Sequence, residues 1–299
     1  MEQVLKSYLE HLCGADCVEE NVSMATRTTF KIGGEARYFV TVKSKNILAR
    51  LVSALDFINY PYRVIGAGAN LLVRDKGFDG VIIKLGFSEI LDNECFVYAD
   101  AGVGLAKLLS YARKRGLGGL EFLSGIPGTV GGAVFMNAGA HGGAISDYIA
   151  IVDVLKNGEI VSMDARACKF AYRKSIFQSK RELVIIGAYF FLKKSDFAII
   201  SEREKEILKK RRISQPKEPS AGSVFRRPLN SQLSVGEMVE QLGLKGLMRG
   251  GAQISPVHGG FIVNMGGATA SDVLYLVKVI KREIYKNYNL KLKLEIEII

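Results

Sequence analysis

Apolar residues recur at helical spacing along several parts of the chain. The clearest pattern lies in residues 271–288, where the apolar positions are Val273, Leu276, Val277, Ile280 and Ile284. Separations of three and four residues place side chains on one face of an α-helix, so this stretch is predicted to be a helix with one buried face. Three more helices are predicted on similar grounds, over residues 47–58, 105–115 and 199–212.

Shorter apolar runs predict β-strands between these helices. The runs cover residues 36–42, 63–65, 81–85, 97–101, 149–155 and 183–192. Residues 290–298 alternate apolar and charged side chains and predict a final half-buried strand. Residues 214–228 are predicted to form a loop. Because helices and strands mix without a regular βαβ rhythm, the fold class is predicted to be α+β.

Composition places the chain among soluble globular proteins. It has 299 residues, of which 48% are hydrophobic and 24% charged. A chain of this length buries enough apolar surface to fold without disulfides or a structural metal. The four cysteines form no Cys-x-x-Cys pair and no histidine cluster accompanies them, so we expect reduced thiols and no metal site. No signal peptide begins the chain and no apolar run reaches the length of a membrane span, so we expect a cytoplasmic protein without membrane contact.

The formal net charge of +11 raises the possibility of nucleic-acid binding. Proteins of that kind usually concentrate Lys and Arg and interleave aromatic residues for stacking. Here the densest basic cluster, residues 205–212, follows and interleaves with glutamates on a helical pattern, which is typical of a solvated helix face. We therefore expect no nucleic-acid partner, and an anionic small substrate explains the charge equally well.

Two glycine-bearing tracts are the strongest signals of ligand binding. The first follows a predicted strand, but Leu71 occupies the place of the third glycine of a dinucleotide fingerprint, and no Walker-type phosphate loop is present. Glycine lets backbone N–H groups approach a pyrophosphate closely, so two such tracts favour a bound dinucleotide over tight turns alone. The candidate residues are Gly66, Ala67, Gly68, Ala69, Asn70 and Leu71 in the first tract, and Gly125, Ile126, Pro127, Gly128, Gly131, Gly132, Asn137 and Gly139 in the second.

Three polar residues stand in sequence surroundings that suggest chemistry. Arg173 lies between an aromatic and a hydroxyl residue and is suited to a bidentate contact with a carboxylate, although it also fits an ordinary surface arginine. No Gly-x-Ser-x-Gly elbow surrounds Ser223, so its hydroxyl is a possible proton donor or a turn-forming group. Glu295 lies on the polar side of the predicted last strand, where the alternative is a solvated face.

Together these stretches resemble the UDP-N-acetylenolpyruvoylglucosamine reductase family. Any one match is weak, but seven follow in family order along nearly the whole chain. They are Thr28–Ala36, Gly66–Leu72, Gly119–Ala133, Met136–Ala140, Tyr172-Arg-Lys-Ser175, Gln215-Pro and Ala221-Gly-Ser-Val-Phe225.

The resemblance implies a short-form enzyme of peptidoglycan synthesis that holds FAD noncovalently, uses NADPH as co-substrate and acts on a UDP-sugar. It implies a two-lobed FAD-binding domain of the PCMH type, with lobes at residues 1–84 and 85–200, followed by a smaller α+β substrate-binding domain at 201–299. It assigns the two glycine tracts to FAD and gives Arg173, Ser223 and Glu295 catalytic roles. The expected substrate-binding residues are Tyr172, Arg212, Gln215 and Arg227. We expect a monomer.

The sequence departs from the family pattern at several positions. Ala69 replaces a common serine, Arg227 stands where some members have asparagine, and Leu294 replaces a frequent proline. The last difference leaves the C-terminal register open, so Glu297 is the alternative to Glu295. The alternative function is that of another FAD-dependent oxidase or dehydrogenase on the same fold.

Overall fold

A computed structural model describes residues 2–299 of the chain. The predicted helices are present, and the N-terminal residues form an additional one with Leu5, Leu9 and Leu12 buried on one face. The helix over residues 270–288 is capped by Thr269, whose hydroxyl accepts from the Asp272 amide in a capping box. The helices are α1 (Glu2–Cys13), α2 (Lys45–Phe57), α3 (Leu105–Lys114), α4 (Val130–Met136), α5 (Phe197–Ser214), α6 (Val235–Gln241) and α7 (Ala270–Tyr288).

The strands include those predicted from the short apolar runs and several others that carry fewer apolar residues. In chain order they are β1 (Val18–Ser23), β2 (Glu35–Val42), β3 (Tyr62–Ile65), β4 (Leu71–Leu72), β5 (Phe78–Leu85), β6 (Ile90–Asn93), β7 (Phe96–Asp100), β8 (Leu117–Gly118), β9 (Gly139–Ala140), β10 (Gly143–Ala144), β11 (Ile149–Lys156), β12 (Glu159–Asp164), β13 (Val184–Phe191), β14 (Lys193–Lys194), β15 (Ser220–Ser223), β16 (Met248–Arg249), β17 (Ala252–Ile254), β18 (Phe261–Asn264) and β19 (Glu297–Ile298). Helices and strands are mixed, and the predicted α+β class is confirmed.

The chain divides into two compact units. Unit 1 comprises residues 1–20, 38–67 and 80–209, and unit 2 comprises residues 21–37, 68–79 and 210–299. Two segments from the first eighty residues thus belong to the same unit as the C-terminal third. The division into domains at 1–84, 85–200 and 201–299 assumed contiguous stretches and stays a prediction.

Unit 1 is built mainly around an antiparallel sheet in the order β12-β11-β13-β7-β6. Its buried residues include Val97 and Ala99 of β7 and Ala188 and Phe190 of β13. The parallel pair β3 and β5 belongs to a second sheet, ordered β1-β2-β5-β3. Apolar burial on this scale is the main favourable contribution to folding.

Unit 2 contains the antiparallel sheet β15-β18-β17-β16 and the long helix α7. The residues of α7 predicted to form its buried face are buried, and they belong to one apolar core with residues of β15, β17 and β18. Asn264, nearly buried at the end of β18, donates to the carbonyl oxygens of Phe30 and Lys31 over 3.2 and 3.0 Å. These bonds fix part of the segment 21–37 within the unit.

The prediction of one strand over residues 290–298 is wrong. Leu294 forms an isolated bridge with Phe225, and only Glu297 and Ile298 form a strand, which pairs in parallel with β4. The chain changes hydrogen-bonding partner between these points, and a change of partner leaves no mark on the alternation of apolar and charged residues. The predicted loop over 214–228 is also corrected, because Ser220–Ser223 form strand β15 beside β18.

Candidate functional site

The two glycine tracts meet within unit 1 at the start of α4. A Cβ atom placed on Gly66 would lie 2.5 Å from the hydroxyl oxygen of Thr129. Thr129 caps α4, and its hydroxyl accepts from the Gly132 amide over 3.4 Å. Since a side chain at Gly66 would collide with this cap, the first tract needs glycine here to pass beside the second.

Neighbouring glycines of the second tract differ in what surrounds them. A Cβ on Gly131 would lie 2.8 Å from that of Ala101, so the packing of the protein itself requires glycine at that position. A Cβ on Gly132 would meet only the Thr129 hydroxyl oxygen at 3.6 Å, and one on Gly128 only Leu105 at 3.6 Å, both ordinary contacts. The protein's own packing therefore does not crowd a Cβ at Gly128 or Gly132, and glycine there fits the close approach of a dinucleotide to the backbone.

A buried hydroxyl supports the same placement. Ser124 is 3% exposed, and its hydroxyl oxygen has no hydrogen-bond partner among residues 2–299. Buried polar atoms in folded proteins are nearly always hydrogen-bonded, so an unpartnered one suits a polar ligand atom. The residues that follow it, Gly125, Ile126 and Pro127, lie in the connection to α4 and are exposed or half-buried. The residues present in unit 1 therefore fit FAD.

The remainder of the first tract belongs to unit 2. Gly68 has φ +65° and a Cβ there would lie 2.6 Å from the Arg27 carbonyl oxygen, so glycine is required. Ala67, in unit 1, is exposed, and Ala69 is half-buried. The Asn70 side-chain amide donates to the Glu295 carbonyl oxygen over 2.9 Å, and Leu71 pairs with Glu297 in β19. This part of the tract holds the C-terminal segment in place.

Arg173 lies in a tight turn of unit 1. Ala171 and Lys174 exchange two backbone hydrogen bonds of 3.0 Å, and Arg173 between them has φ +52°, a left-handed conformation unusual for an arginine. Its guanidinium lies 5.4 Å from the centre of the Tyr172 ring, and that ring is half exposed. Stacking on an aromatic ring orients the guanidinium, whose planar arrangement of N–H groups matches the geometry of a carboxylate.

Ser223 ends strand β15 of unit 2 at an irregularity in the sheet. The register between β15 and β18 shifts between Ser220 and Ser223, and Gly222 within the shift has φ +75°. Such bulges turn the following side chain away from its regular direction and are common at functional sites. The bulge thus controls where the Ser223 hydroxyl points, and a side chain at Gly222 would be strained.

Glu295 is joined to the strand that carries Ser223. Its backbone N–H donates to the Val224 carbonyl oxygen over 2.9 Å, one residue beyond Ser223. Glu297 instead donates its backbone N–H to the Asn70 carbonyl oxygen over 2.9 Å. Both glutamate side chains are half-buried. Within unit 2, the backbone of Glu295 therefore pairs with the residue that follows Ser223. The backbone of Glu297 pairs with the first glycine tract instead.

The other predicted substrate-binding residues of unit 2 lie around the ends of α5 and β15. Arg212 is exposed in the last turn of α5. The Gln215 side-chain oxygen accepts from Arg211 over 3.4 Å, and Arg227 donates to the Gln232 carbonyl oxygen over 2.7 Å. Polar side chains thus border the segment from α5 to β15, and their roles toward a substrate stay predictions.

A buried charge cluster in unit 1 supports the start of α4. Asp100, 2% exposed, accepts from the Lys45 ammonium over 2.8 Å and from the Tyr98 hydroxyl over 2.9 Å. Burial opposes the charge on Lys45, but its hydrogen bonds to Asp100 and Tyr98 outweigh that effect and raise its pKa. The next residue, Ala101, accepts from the Gly131 amide over 2.9 Å, so the cluster fixes the backbone that packs against this glycine.

Among residues 2–299, no three His, Cys, Asp or Glu side chains are grouped where they could hold a metal ion. None of the helices in that range has both the length and the apolar character needed to cross a bilayer. All four cysteines are free thiols, with Cys13, Cys17 and Cys168 buried.

Sequence reasoning missed the residues that support the site. Thr129 was recognisable as a helix cap because a threonine precedes the helical segment, yet its neighbour Gly66 is distant in sequence. The left-handed turn at Arg173 has no glycine or asparagine to signal it. The sequence also gives no indication that Asn137 and Gln178 contact this turn, since those contacts depend on tertiary packing.

Comparison with known proteins gives matches over nearly the whole chain. The FAD binding domain family matches residues 36–164, and the family described as UDP-N-acetylenolpyruvoylglucosamine reductase, C-terminal domain, matches residues 215–299. A UDP-N-acetylenolpyruvoylglucosamine reductase of Anoxybacillus flavithermus is 43% identical over 303 residues, covering 100% of this chain and 99% of that protein. One of Bacillus subtilis is 39% identical over 305 residues, covering 100% and 99%. The crystal structure of the Thermus caldophilus enzyme superposes with a TM-score of 0.82 at 37% identity, covering 94% and 98% of the two chains.

Proposed function

The chain belongs to the UDP-N-acetylenolpyruvoylglucosamine reductase family, and we propose that it reduces the enolpyruvyl group of UDP-N-acetylglucosamine enolpyruvate to give UDP-N-acetylmuramate. The reductant is NADPH and the pathway is peptidoglycan synthesis. Bound FAD would supply the hydride chemistry, accepting a hydride from NADPH and passing it to the enolpyruvyl double bond. The remaining tasks, which are to bind the carboxylate, to stabilise charge and to deliver a proton, fall to the chain's own residues.

One observation carries the assignment of Ser223 and Glu295 to the substrate site. The backbone N–H of Glu295 donates to the carbonyl oxygen of Val224 over 2.9 Å, which places Glu295 beside the strand that ends at Ser223. Negative charge develops next to the substrate carboxylate when hydride adds to the double bond. Ser223 donates its hydroxyl proton to the carbon next to the carboxylate, where this charge develops. Its position after a bulge fits a side chain aimed at a ligand.

Arg173 and Glu295 stabilise the developing charge. The Arg173 guanidinium presents two parallel N–H donors to the substrate carboxylate, and such electrostatic stabilisation is usually the largest catalytic contribution. Glu295 assists in its neutral, protonated form, because a second carboxylate facing the first would repel it. The backbone bond to Val224 supports Glu295 in this role over Glu297, whose backbone pairs with the glycine tract.

The substrate's uridine diphosphate is assigned to the polar residues of the segment from α5 to β15. Arg212 in this segment and Arg227 just beyond it supply positive charge, and Gln215 supplies a neutral polar group. Tyr172, in unit 1, is proposed as a further substrate-binding residue. We also propose that the protein acts as a cytoplasmic monomer without a nucleic-acid partner. Light scattering of the purified protein, with and without oligonucleotide, tests this. The mass of a dimer, or of a complex with the oligonucleotide, would contradict the proposal.

The absorption spectrum of the purified protein is the first test. A yellow protein whose flavin is released entirely by acid precipitation is expected. NADPH oxidation is then measured with and without the enolpyruvyl UDP-sugar, and the sugar is expected to sustain turnover. Flavin that stays in the acid precipitate, or NADPH oxidation that the sugar does not stimulate, favours the alternative of another FAD-dependent oxidase or dehydrogenase.

Arg173→Ala tests the assignment of the carboxylate site. Reduction of the flavin by NADPH should proceed at a near-normal rate, while reoxidation by the enolpyruvyl substrate should fall by about two to four decades, corresponding to roughly 3–5 kcal/mol. Rapid-mixing absorbance measurements separate these half-reactions. An equal fall in both half-reactions would assign Arg173 to the flavin site or to the fold instead.

A further inference from the structure

The turn that carries Arg173 is held by side-chain amides from two other parts of unit 1. The Asn137 amide nitrogen donates to the Ala171 carbonyl oxygen over 2.9 Å. The Gln178 amide nitrogen donates to the Arg173 carbonyl oxygen over 3.1 Å. One hydrogen bond therefore fixes the entry to the turn, and the other fixes the residue at its tip.

The backbone at Arg173 needs such support. Its φ of +52° lies in the left-handed region, which non-glycine residues avoid because of steric crowding. Conformations of this kind persist where surrounding contacts hold them, and they concentrate at functional sites. The hydrogen bonds from Asn137 and Gln178 supply this constraint.

Both amides are anchored at the end of α4. Asn137 is the left-handed residue that ends this helix, with φ +44°, and its side-chain oxygen accepts from the Ser146 amide over 3.2 Å. The Phe135 carbonyl oxygen accepts from the Gln178 amide over 3.2 Å and from the Ser175 hydroxyl over 2.6 Å. The Arg173 turn is thus fastened to the end of α4 at several points.

The opposite end of α4 carries Gly128, Gly131 and Gly132 of the tract assigned to FAD. The helix contains seven residues, Val130–Met136, so its ends are about 10 Å apart. A Cβ on Gly139, just beyond the helix, would lie 2.6 Å from the Gly143 carbonyl oxygen and 3.2 Å from an Arg173 guanidinium nitrogen, so the guanidinium lies beside this glycine. A short rigid helix thus connects the glycines of the predicted cofactor site to the arginine of the predicted carboxylate site.

We propose that Asn137 and Gln178 are positioning residues that fix the Arg173 guanidinium relative to the cofactor site. The inference rests on the proposed function, in which Arg173 binds the substrate carboxylate. A displacement of about 1 Å in a catalytic group can cost roughly 100-fold in rate. The two amides therefore act on the reaction through Arg173 and need not touch the substrate.

The same hydrogen bonds have a purely structural explanation, namely that they cap the end of α4. That explanation predicts lower stability and equal effects on both half-reactions. Positioning predicts that reduction of the flavin by NADPH is spared while reoxidation by the enolpyruvyl UDP-sugar is slowed. The half-reactions therefore distinguish the two explanations.

Asn137→Gly is the main test variant, because glycine adopts the left-handed backbone at least as well as asparagine and removes only the side-chain amide. Gln178→Met is the second, since it keeps the side-chain length and removes the donor. In each variant, reoxidation by the substrate is expected to fall about 10- to 100-fold. The Asn137 side-chain amide is engaged with Ala171 and Ser146, so its predicted contribution to FAD binding is that of its backbone, which glycine retains. Flavin content and the rate of reduction by NADPH should therefore stay within about twofold of the parent protein, a margin well below that loss.

Asn289→Gly is a matched control. Asn289 also ends a helix, α7, in the left-handed conformation, with φ +52°, and it lies in unit 2. The substitution keeps the backbone suited to its conformation, so both half-reactions should keep their parent rates. Melting curves of all variants with FAD bound report any loss of stability.

Combination with Arg173→Ala decides whether the amides act through the arginine. If they do, Asn137→Gly lowers the reoxidation rate strongly in the parent protein and adds nothing to Arg173→Ala. An additional loss in the double variant overturns the proposal, as do unchanged reoxidation in both single variants or equal losses in both half-reactions. If Arg173→Ala leaves reoxidation intact, the role of Arg173 in the proposed function fails as well, and that result is distinct from the others.

Discussion

The side chain of Asn70 donates a hydrogen bond to the backbone oxygen of Glu295, over 2.9 Å. Asn70 lies in the first glycine tract and Glu295 in the C-terminal segment, 225 positions further along the chain. A residue predicted to serve the cofactor therefore also holds a predicted catalytic residue. The side chain and the backbone of Asn70 can thus be tested separately.

Asn70→Ala should slow reoxidation of the flavin by the substrate about tenfold, because the segment carrying Glu295 loses a restraint. Flavin content should stay close to that of the parent protein, since the backbone donors of the tract remain. The measurement is rapid mixing of each half-reaction together with the flavin absorbance per chain. Asn287→Ala is the control, because it removes an exposed hydrogen bond from the side-chain amide to the Glu283 carbonyl oxygen. Loss of flavin from Asn70→Ala would instead assign the side chain to the cofactor.

Ser223→Ala should lower turnover by roughly 100-fold, the usual scale for a positioned acid, while flavin content and melting temperature stay near those of the parent. Ser223→Cys should recover part of the loss, because a thiol also delivers a proton but repairs a turn hydrogen bond poorly. Ser162→Ala, at an exposed serine of β12 in unit 1, is the control. Lower stability with equal effects on both half-reactions would show that Ser223 is structural.

Gly131 and Gly132 form a neighbouring pair that separates packing from ligand binding. Gly131→Ala should lower the melting temperature of the flavin-free protein, because the new methyl group would lie 2.8 Å from Ala101 and overpacking costs about 1–3 kcal/mol. Gly132→Leu should leave that temperature nearly unchanged and reduce the flavin retained after purification. Full flavin occupancy in Gly132→Leu would contradict the placement of FAD beside this residue.

The stability of the protein should depend on pH through His258. Burial of the imidazole lowers its pKa; the charge on Lys245 acts in the same direction and Glu237 and Glu240 oppose it. The unfolded chain therefore takes up the proton first as the pH falls through about 6.5. The free energy of unfolding should be highest above this pH and should decrease as the pH drops toward the folded-state pKa.

His258→Asn should remove this part of the pH dependence, since asparagine offers an acceptor for the Gly260 amide, which now donates to the histidine over 3.0 Å, and does not titrate. Urea unfolding curves between pH 5 and 8, an interval of about 1.5 pH units on each side of the normal pKa of histidine, provide the measurement. His11→Asn, at an exposed position on α1, is the control. An unchanged profile in His258→Asn would exclude this origin.

Elements with strong local patterns could be predicted from the sequence, and those defined by their partners could not. Helix α7 follows from its apolar spacing because one face packs on one core. The alternation over residues 290–298 looks like one strand, but the chain pairs first with Phe225 and then with Leu71. Strand β15 looks like a loop because its Ser and Gly residues have low strand propensity, and the neighbouring strand β18 determines its conformation.

The candidate site follows the same division. Glycine tracts are visible in a sequence because the residue type itself reports a close backbone approach, as at Gly66. The turn of Arg173 is not visible, because nothing in Tyr172-Arg-Lys-Ser175 requires a left-handed arginine. The hydrogen bonds from Asn137 and Gln178 that hold it come from residues more than thirty positions before the turn and five positions after Arg173.

Unit 2 is assembled from three separate stretches of the chain, and its strand β4 pairs with β19 at Glu297 and Ile298. During synthesis on the ribosome, residues 21–37 and 68–79 emerge more than 200 residues before Glu297 and Ile298, which pair with β4. The apolar side chains of these early segments, including Phe30, Ile32 and Leu72, belong to a core whose other members follow much later. Such long-range contacts form slowly. Until residues 210–299 have been synthesised, these segments remain exposed to chaperones and to aggregation.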